Sequence, residues 1–168
     1  MRYNFFIYLF LVVLAFGYSA NANESAETES ASLKITAQCI DTIGSSFIDA
    51  RQHVCMSTNT QRVRYGSRPL ILDSTLSRAA QIFARDMATR KYFSHNSPEG
   101  RDLKWRLKTG QIVYMSAGEN IAMGYKTSDE VIRGWMNSPG HRKNMLAPKF
   151  GRIGVGYSNN YWVQIFAN

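Results

Sequence analysis

Hydrophobic positions recur along this chain with two periods, and their changes mark its elements. The clearest helical stretch follows Asp73. Leu76, Ala80, Phe83 and Met87 recur at helical spacing, with Ala79 and Ala84 beside them, while Arg78 and Arg85 lie on another face, toward solvent. Asp73 is a good N-cap for that helix. Before it, Phe47 to Tyr65 is moderately periodic and polar on one side, and Gly66-Ser67-Arg68-Pro69 closes it. After it, Asn96-Ser97-Pro98-Glu99-Gly100 predicts a turn, and a short helix carrying Leu103 and Leu107 ends at Gly110. Gln111 to Met115 has the pattern of a short strand. Thr127 or Ser128 caps a further helix whose apolar face is Val131, Ile132, Trp135 and Met136. Asp129 and Glu130 stand in its first turn, where the helix dipole favours negative charge, and Pro139-Gly140 is expected to break it. Gly151 to Tyr157 and Tyr161 to Phe166 are β-rich and flank Ser158-Asn159-Asn160, a hairpin signal. There are no internal repeats. This order predicts an α+β layered domain, an antiparallel sheet covered by helices.

The two ends of the N-terminal third follow a different pattern. An apolar run from Phe5 to Phe16 follows Arg2 and leads to Ala20-Asn21-Ala22. The run is shorter than the roughly 20 residues of a membrane span. It has the layout of a secretory signal peptide over residues 1–22, with a small-x-small cleavage site. The expectation is export, secreted or periplasmic, with no membrane span once the leader is removed. Asn23 to Ser32 holds Glu24, Glu27 and Glu29 and no large apolar residue, so it reads as a flexible leader. Residues 23–46 are thus expected to form a leader and N-terminal extension, and 47–168 the domain.

Charge changes the picture once it is divided this way. The 168 residues carry 20 Lys and Arg against 12 Asp and Glu, a formal charge of +8. Without Arg2 and the three leader glutamates, 19 basic and 9 acidic residues remain, a formal charge of +10. A basic exported monomer points to an acidic partner, either anionic lipid or an acidic envelope polymer. Nucleic acid is not expected, since no recognition motif for it is present. Two cysteines exclude a disulfide-stapled mini-scaffold and a four-cysteine zinc ribbon. Along a continuous helix Cys39 and Cys55 would stand about 24 Å apart. A disulfide needs Cα atoms within about 7 Å, so the chain must turn between them, most obviously at Gly44-Ser45-Ser46. A disulfide and two buried free thiols both remain open.

Candidate chemistry is concentrated in three residues. His95, in Tyr92-Phe93-Ser94-His95, and His141, in Ser138-Pro139-Gly140-His141, are read as loop residues just after helix ends, beside Pro and Gly. Functional groups concentrate on such loops. Two imidazoles can supply two zinc ligands, or a general acid–base pair near neutral pH. Glu119, in Gly118-Glu119-Asn120-Ile121, could orient an imidazole, bind a metal, activate a water, or simply cap backbone N–H groups. His53 has no assigned role. There is no Gly-x-Ser-x-Gly elbow and no Walker-type phosphate loop.

A set of motifs in one order carries a family resemblance. Asn59-x-x-Arg62, Pro69-Leu70, Ala79-Ala80, Tyr92-Phe93-Ser94-His95 and Gly118-Glu119-Asn120-Ile121 are followed by Trp135-Met136-Asn137-Ser138-Pro139-Gly140-His141-Arg142 and Ile153-Gly154-Val155-Gly156. From Phe47 to Asn168 the chain resembles the CAP superfamily of cysteine-rich secretory proteins, antigen five and pathogenesis-related proteins, most of all its bacterial SCP-like members. The resemblance implies a three-layer α-β-α sandwich, secretion, and a central cleft with two histidines and usually two glutamates. In some members the histidine pair binds a divalent metal. His95, Glu119 and His141 match three of those four positions. Ser138 stands where the second glutamate usually lies, and Glu130 is not the equivalent position. The family's usual disulfides are absent. The resemblance implies a non-catalytic envelope or extracellular binding module, with His95 and His141 as metal candidates and Glu119 nearby. The alternative is a metal-dependent hydrolase, a protease or a cell-wall or lipid hydrolase, using Zn²⁺ in the same cleft with His95, Glu119 and His141 as its catalytic candidates.

Overall fold

The computed structural model describes residues 24–40 and 49–168; the expected export signal and the Gly44–Ser46 turn lie outside them. The chain divides after Lys34 into two compact units. Residues 24–39 are helical (α1), 24–34 in the first unit and 35–39 in the second. A helix therefore stands where the composition suggests a flexible leader. The segment lacks Pro and Gly and is rich in Glu and Ala, good helix formers.

The second unit is built on one four-stranded sheet. Its elements are α2 (Ala50–Arg64), β1 (Ile71–Leu72), α3 (Ser74–Arg90), α4 (Leu103–Thr109), β2 (Ala117–Met123), α5 (Ser128–Asn137), α6 (Pro139–Leu146), β3 (Arg152–Ser158) and β4 (Tyr161–Ala167). The strand order is β1-β3-β4-β2. The sheet is mixed rather than antiparallel throughout: β3–β4 and β4–β2 are antiparallel, but β1 runs parallel to β3. The reason is topological. Leu70-Ile71-Leu72 enters the sheet before α3 begins and pairs along the outer side of β3 for only two residues.

Two apolar clusters give the layers. Leu76, Ala80, Phe83 and Met87 of α3 pack with Leu107, Ile121, Val163 and Ile165 on one face. Val54, Val131, Trp135, Met145, Val155 and Trp162 pack on the other, under α2, α5 and α6. This is the expected α-β-α sandwich. The closest approach is α3 over β3. A Cβ at Gly154 would lie 2.2 Å from the backbone of Leu76, and one at Gly156 2.3 Å from that of Ala80. The i, i+2 spacing of the glycines on one strand face thus matches the i, i+4 spacing on the helix.

The hairpin forms as predicted. Asn159 and Asn160 have φ of 47° and 63°, the left-handed pair that a two-residue turn requires. Two other expectations shift. Gln111–Met115 is irregular, and the strand begins at Ala117. Of the consecutive apolar residues there, only Ile112 is buried, while Val113 and Met115 face solvent. Pro139-Gly140 does not simply end a helix. Pro139 opens α6, because the first helical position needs no N–H and suits proline's fixed φ.

Side chains join these layers. Asn59 accepts from Leu70 N at 2.7 Å and donates to Leu70 O at 2.9 Å, tying α2 to β1. Arg62 is fully buried and pairs with no carboxylate among the described residues. Its guanidinium donates to the carbonyls of Arg68, Met145, Ala147 and Phe150 at 2.7–3.3 Å. Burial pushes its pKa down to about 10, which still leaves it charged near neutrality. Cys39 and Cys55 are bonded, with Cα atoms 5.7 Å apart, so the disulfide is the outcome of the two left open. Cys55 sits within α2 and Cys39 is fully buried. The bond is therefore part of the core and not of an appended extension.

Candidate functional site

The site forms along the outer edge of β2, the last strand of the sheet. Alternation along β2 sends Glu119 and Ile121 to the α3 face, and Asn120 and Ala122 to the α5 face. His95 reaches Glu119 from the loop after α3. His141 comes from the first turn of α6, on the opposite side, so it is a helix residue and not a loop residue.

Glu119 is the centre of the arrangement. One carboxylate oxygen meets His95 Nδ1 at 2.8 Å, and the other accepts from Arg106 Nη2 at 2.6 Å. As a carboxylate it only accepts, so His95 donates to it from Nδ1. The Glu119 and Arg106 side chains are 4% and 8% exposed, whereas that of His95 is 57% exposed. This is a buried ion pair supporting one accessible imidazole.

Arg106 was not foreseen as a site residue. It also donates to the backbone carbonyls of His95 and Arg101, at 3.1 and 3.0 Å, and its guanidinium stacks 3.5 Å over the Phe83 ring. One side chain thus grips the carboxylate, the His95 backbone and the core. Its sequence signal was available: Arg106 lies three residues after Leu103 and beside Leu107, on the buried face of α4.

The loop bearing His95 is anchored at both ends. Tyr92 Oη donates to Asp86 at 2.5 Å, and Arg90 pairs with Glu99, whose second partner is Ser97 Oγ at 2.8 Å. The Arg90 hydrogen bond holds the Glu99 carboxyl down at about 2.

His141 is fixed through its backbone. Its carbonyl accepts from Asn120 Nδ2 at 3.1 Å, and Asn144, one turn on, donates to Asn120 Oδ1 at 3.0 Å and to Glu119 O at 3.2 Å. The chain of amides continues inward from Asn120 to Gln164, and Gln164 bonds Thr58 Oγ1 at 2.8 Å. Asn120, Gln164 and Thr58 are fully buried, Asn144 is half-buried and each has a partner, so the chain gives α6 a defined seat on β2. Burial, with the nearby charge of His95 adding to it, pushes the His141 pKa below the ordinary imidazole range.

A cleft of about 460 Å³ opens beside the dyad, lined by His95, Asn96, Lys104, Tyr114, Met115, Ser116 and Glu119 among others. It extends toward α4, and His141 is not part of its lining. The structure thus brings His95 and Glu119 into contact and sets His141 apart from that cleft. Glu130 plays no part: its carboxylate caps α5 by accepting from Lys126 N and Thr127 N. Ser138 precedes α6 and contributes no carboxylate. Among the described residues, no three His, Cys, Asp or Glu side chains group as metal ligands. Both oxygens of Glu119 are engaged. The side chains that could offer nitrogen donors to a cation are the two imidazoles, with Glu119 orienting one of them, and not a three-ligand set.

Comparison with known proteins fits this architecture. Residues 57–166 match the model of the cysteine-rich secretory protein family, CAP. The chain is 48% identical over 111 residues to the uncharacterized protein YkwD of Bacillus subtilis, covering 65% of this chain and 43% of that protein. It is 38% identical over 109 residues to the uncharacterized membrane protein YlbC of the same organism, covering 65% of this chain and 32% of that one. The match spans less than half the length of these curated relatives. Among solved structures, an extracellular SCP-domain protein from Bacillus anthracis aligns with a TM-score of 0.69 at 35% identity, over 71% of this chain and 40% of that chain.

Proposed function

The chain belongs to the cysteine-rich secretory protein family, and from that premise we propose that it is a non-catalytic binding module, secreted or periplasmic, for an acidic component of the cell envelope. The extracellular SCP-domain neighbour supports the location, as does the apolar leader pattern of residues 1–22. The ligand class is supported by the formal charge of +10 outside the leader. One observation carries the non-catalytic part. Arg106 and His95 each engage one oxygen of Glu119, which commits the carboxylate to a buried ion pair and to orienting His95.

The cleft then works as a recognition site. His95 offers Nε2, and Lys104 lines the same cleft with a cationic head. Glu119 and Arg106 hold the imidazole in one orientation, so little ordering is needed on binding. His95 and His141 are the residues that would hold a divalent cation such as Zn²⁺. When bound, that ion would supply positive charge and Lewis acidity beside the two imidazoles. A hydrolase is the second reading, and the oriented His95–Glu119 dyad favours it, because a carboxylate-held imidazole is what a general base requires.

Retention of the mature protein on purified envelope fractions, measured against salt, tests the first reading. Retention should fall steeply as ionic strength rises, and retention indifferent to salt overturns the electrostatic form of the proposal. Titration with Zn²⁺, followed through the histidine NMR signals, tests the cation. His95→Ala/His141→Ala should abolish the response. Turnover of envelope substrates by the wild type, lost in His95→Ala, would instead establish the hydrolase.

A further inference from the structure

The C-terminal ends of α2 and α6 meet, and their carbonyls are satisfied in an uncommon way. Such ends carry orphan carbonyls and negative partial charge, which surface lysines and arginines often cap. Here the caps come from within. Buried Arg62 takes the carbonyls of Arg68, Met145, Ala147 and Phe150, and Ser67 Oγ donates to Leu146 O at 2.9 Å. One guanidinium thus gathers the turn after α2 and the turn after α6. Exposed cations flank it: Arg68 itself, Arg142 one turn before Met145, and Lys149 next to Phe150. None of the three pairs with a carboxylate among the described residues.

Acidic residues are missing from the surroundings as well. Residues 50–72 and 131–168 contain no Asp or Glu. Asp73, the next acid along the chain from Arg68, caps α3 and pairs with Arg152. Asp129 lies 3.8 Å from His53, and His53 stands about 18 Å along α2 from Tyr65. Arg62, charged in the interior with carbonyl oxygens as its partners, adds to the positive field of this surface.

The exposed groups also have a chemistry. The Arg142 guanidinium lies 4.6 Å from the centroid of the Tyr65 ring. Stacked on a ring, a guanidinium keeps its N–H edge for a phosphate or carboxylate, which it takes through two parallel bonds. Tyr65 is 46% exposed beside it, an apolar ring with a hydroxyl tip that suits the C–H and O–H groups of a sugar.

We propose that Tyr65, Arg68, Arg142 and Lys149, at the joined ends of α2 and α6, bind an anionic glycan chain, its phosphate or carboxylate groups on the cations and a sugar ring against Tyr65. The proposal rests on the acidic-ligand reading and adds a second contact, which shares no lining residue with the His95 cleft. Equilibrium binding of the mature protein to immobilised polygalacturonate, phosphodiester-bearing mannan and neutral dextran, at physiological ionic strength, tests it. The protein should bind one or both charged glycans and not dextran, and the tighter of the two names the anion. Arg68→Ala/Arg142→Ala should weaken binding about tenfold, and Tyr65→Leu about threefold. Arg78→Ala/Arg85→Ala removes the same charge from exposed positions of α3 and should stay within about twofold of the wild type. All these side chains are exposed, so unfolding midpoints should stay at the wild-type value. Equal losses in the two double variants would reduce the effect to net charge and overturn the proposal, as would a wild type that ignores both charged glycans. Tighter binding to polyglutamate or to single-stranded DNA than to either glycan overturns the sugar as partner. Salt-sensitive retention on envelope fractions that survives Arg68→Ala/Arg142→Ala removes this surface and leaves the acidic-ligand reading standing. A wild type held by neither the glycans nor the envelope fractions removes both.

Discussion

Glu119 and Arg106 form a pair that neither residue type would survive alone in that position. Removing one partner of a buried ion pair leaves an uncompensated charge and costs about 3–5 kcal/mol, whereas replacing both with apolar groups is often close to neutral. Glu119→Leu should therefore lower the denaturant-unfolding free energy by about that amount. Glu119→Leu/Arg106→Met should recover at least half of the loss, and a double variant no better than the single would show that the pair is not coupled. His141 gives a pH-dependent companion test. Its folded pKa lies below the ordinary value of 6.5 because burial, and then the charge of His95, disfavour the imidazolium. The unfolded chain then takes up a proton at a higher pH than the folded one. The contribution is fully present above about pH 6.5 and is lost as pH falls through the folded pKa, below which no more is lost. Wild-type melting temperature should drop across that interval, and His141→Asn should show a shallower fall.

At the scale of elements, what the sequence made legible depended on whether local pattern and tertiary setting agreed. They agree in α3, where apolar periodicity is the packing face, and in the hairpin, where Asn159-Asn160 tolerates the left-handed turn. They part at Gln111–Met115. The apolar run Ile112-Val113-Tyr114-Met115 there mimics a strand, but the backbone partners are the Asn168 side chain and Arg152. They part again at Pro139, where one residue type serves both to end a helix and to begin one. In the site, His95, Glu119 and His141 could be named from ordered motifs. Arg106 escaped notice although its spacing from Leu103 and Leu107 carried a signal, because a cation on a short helix reads as solvated until its fold neighbours are known. The α3–β3 contact was visible only as a Gly154-x-Gly156 motif, and its reason is spatial. Gly156→Ala would place a methyl 2.3 Å from the Ala80 backbone. Two backbones must part to relieve this, so the loss should reach or exceed the roughly 1–3 kcal/mol of ordinary overpacking. Gly140→Ala, where no atom lies within 4 Å, is the control and should leave the unfolding midpoint near wild type.

For the whole molecule, the question is which length of chain makes one cooperative unit. The family match begins at residue 57, and the motif resemblance at Phe47, but the compact unit runs from Ile35. Cys39 accounts for the difference. It is fully buried, accepts from Asn59 Nδ2 at 3.3 Å, and is bonded to Cys55 across 16 residues. A closure of that length contributes about 3 kcal/mol in the chain-entropy account. A chain beginning at Ile35 keeps the bond and should melt within a few degrees of one beginning at Asn23. A chain beginning at Phe47 loses Cys39, its burial against the core and the cross-link together. It should melt roughly 10 °C lower, taking about 2–4 °C per kcal/mol for a domain of this size. Cys39→Ala/Cys55→Ala in the chain beginning at Ile35 separates the two contributions. If it falls as far as the chain beginning at Phe47, the cross-link carries the whole effect. A smaller fall assigns the remainder to the packing of residues 35–40. Equal melting temperatures for the chains beginning at Ile35 and Phe47 would show that the unit closes without its N-terminal segment, and that the disulfide joins a dispensable arm to a domain already stable.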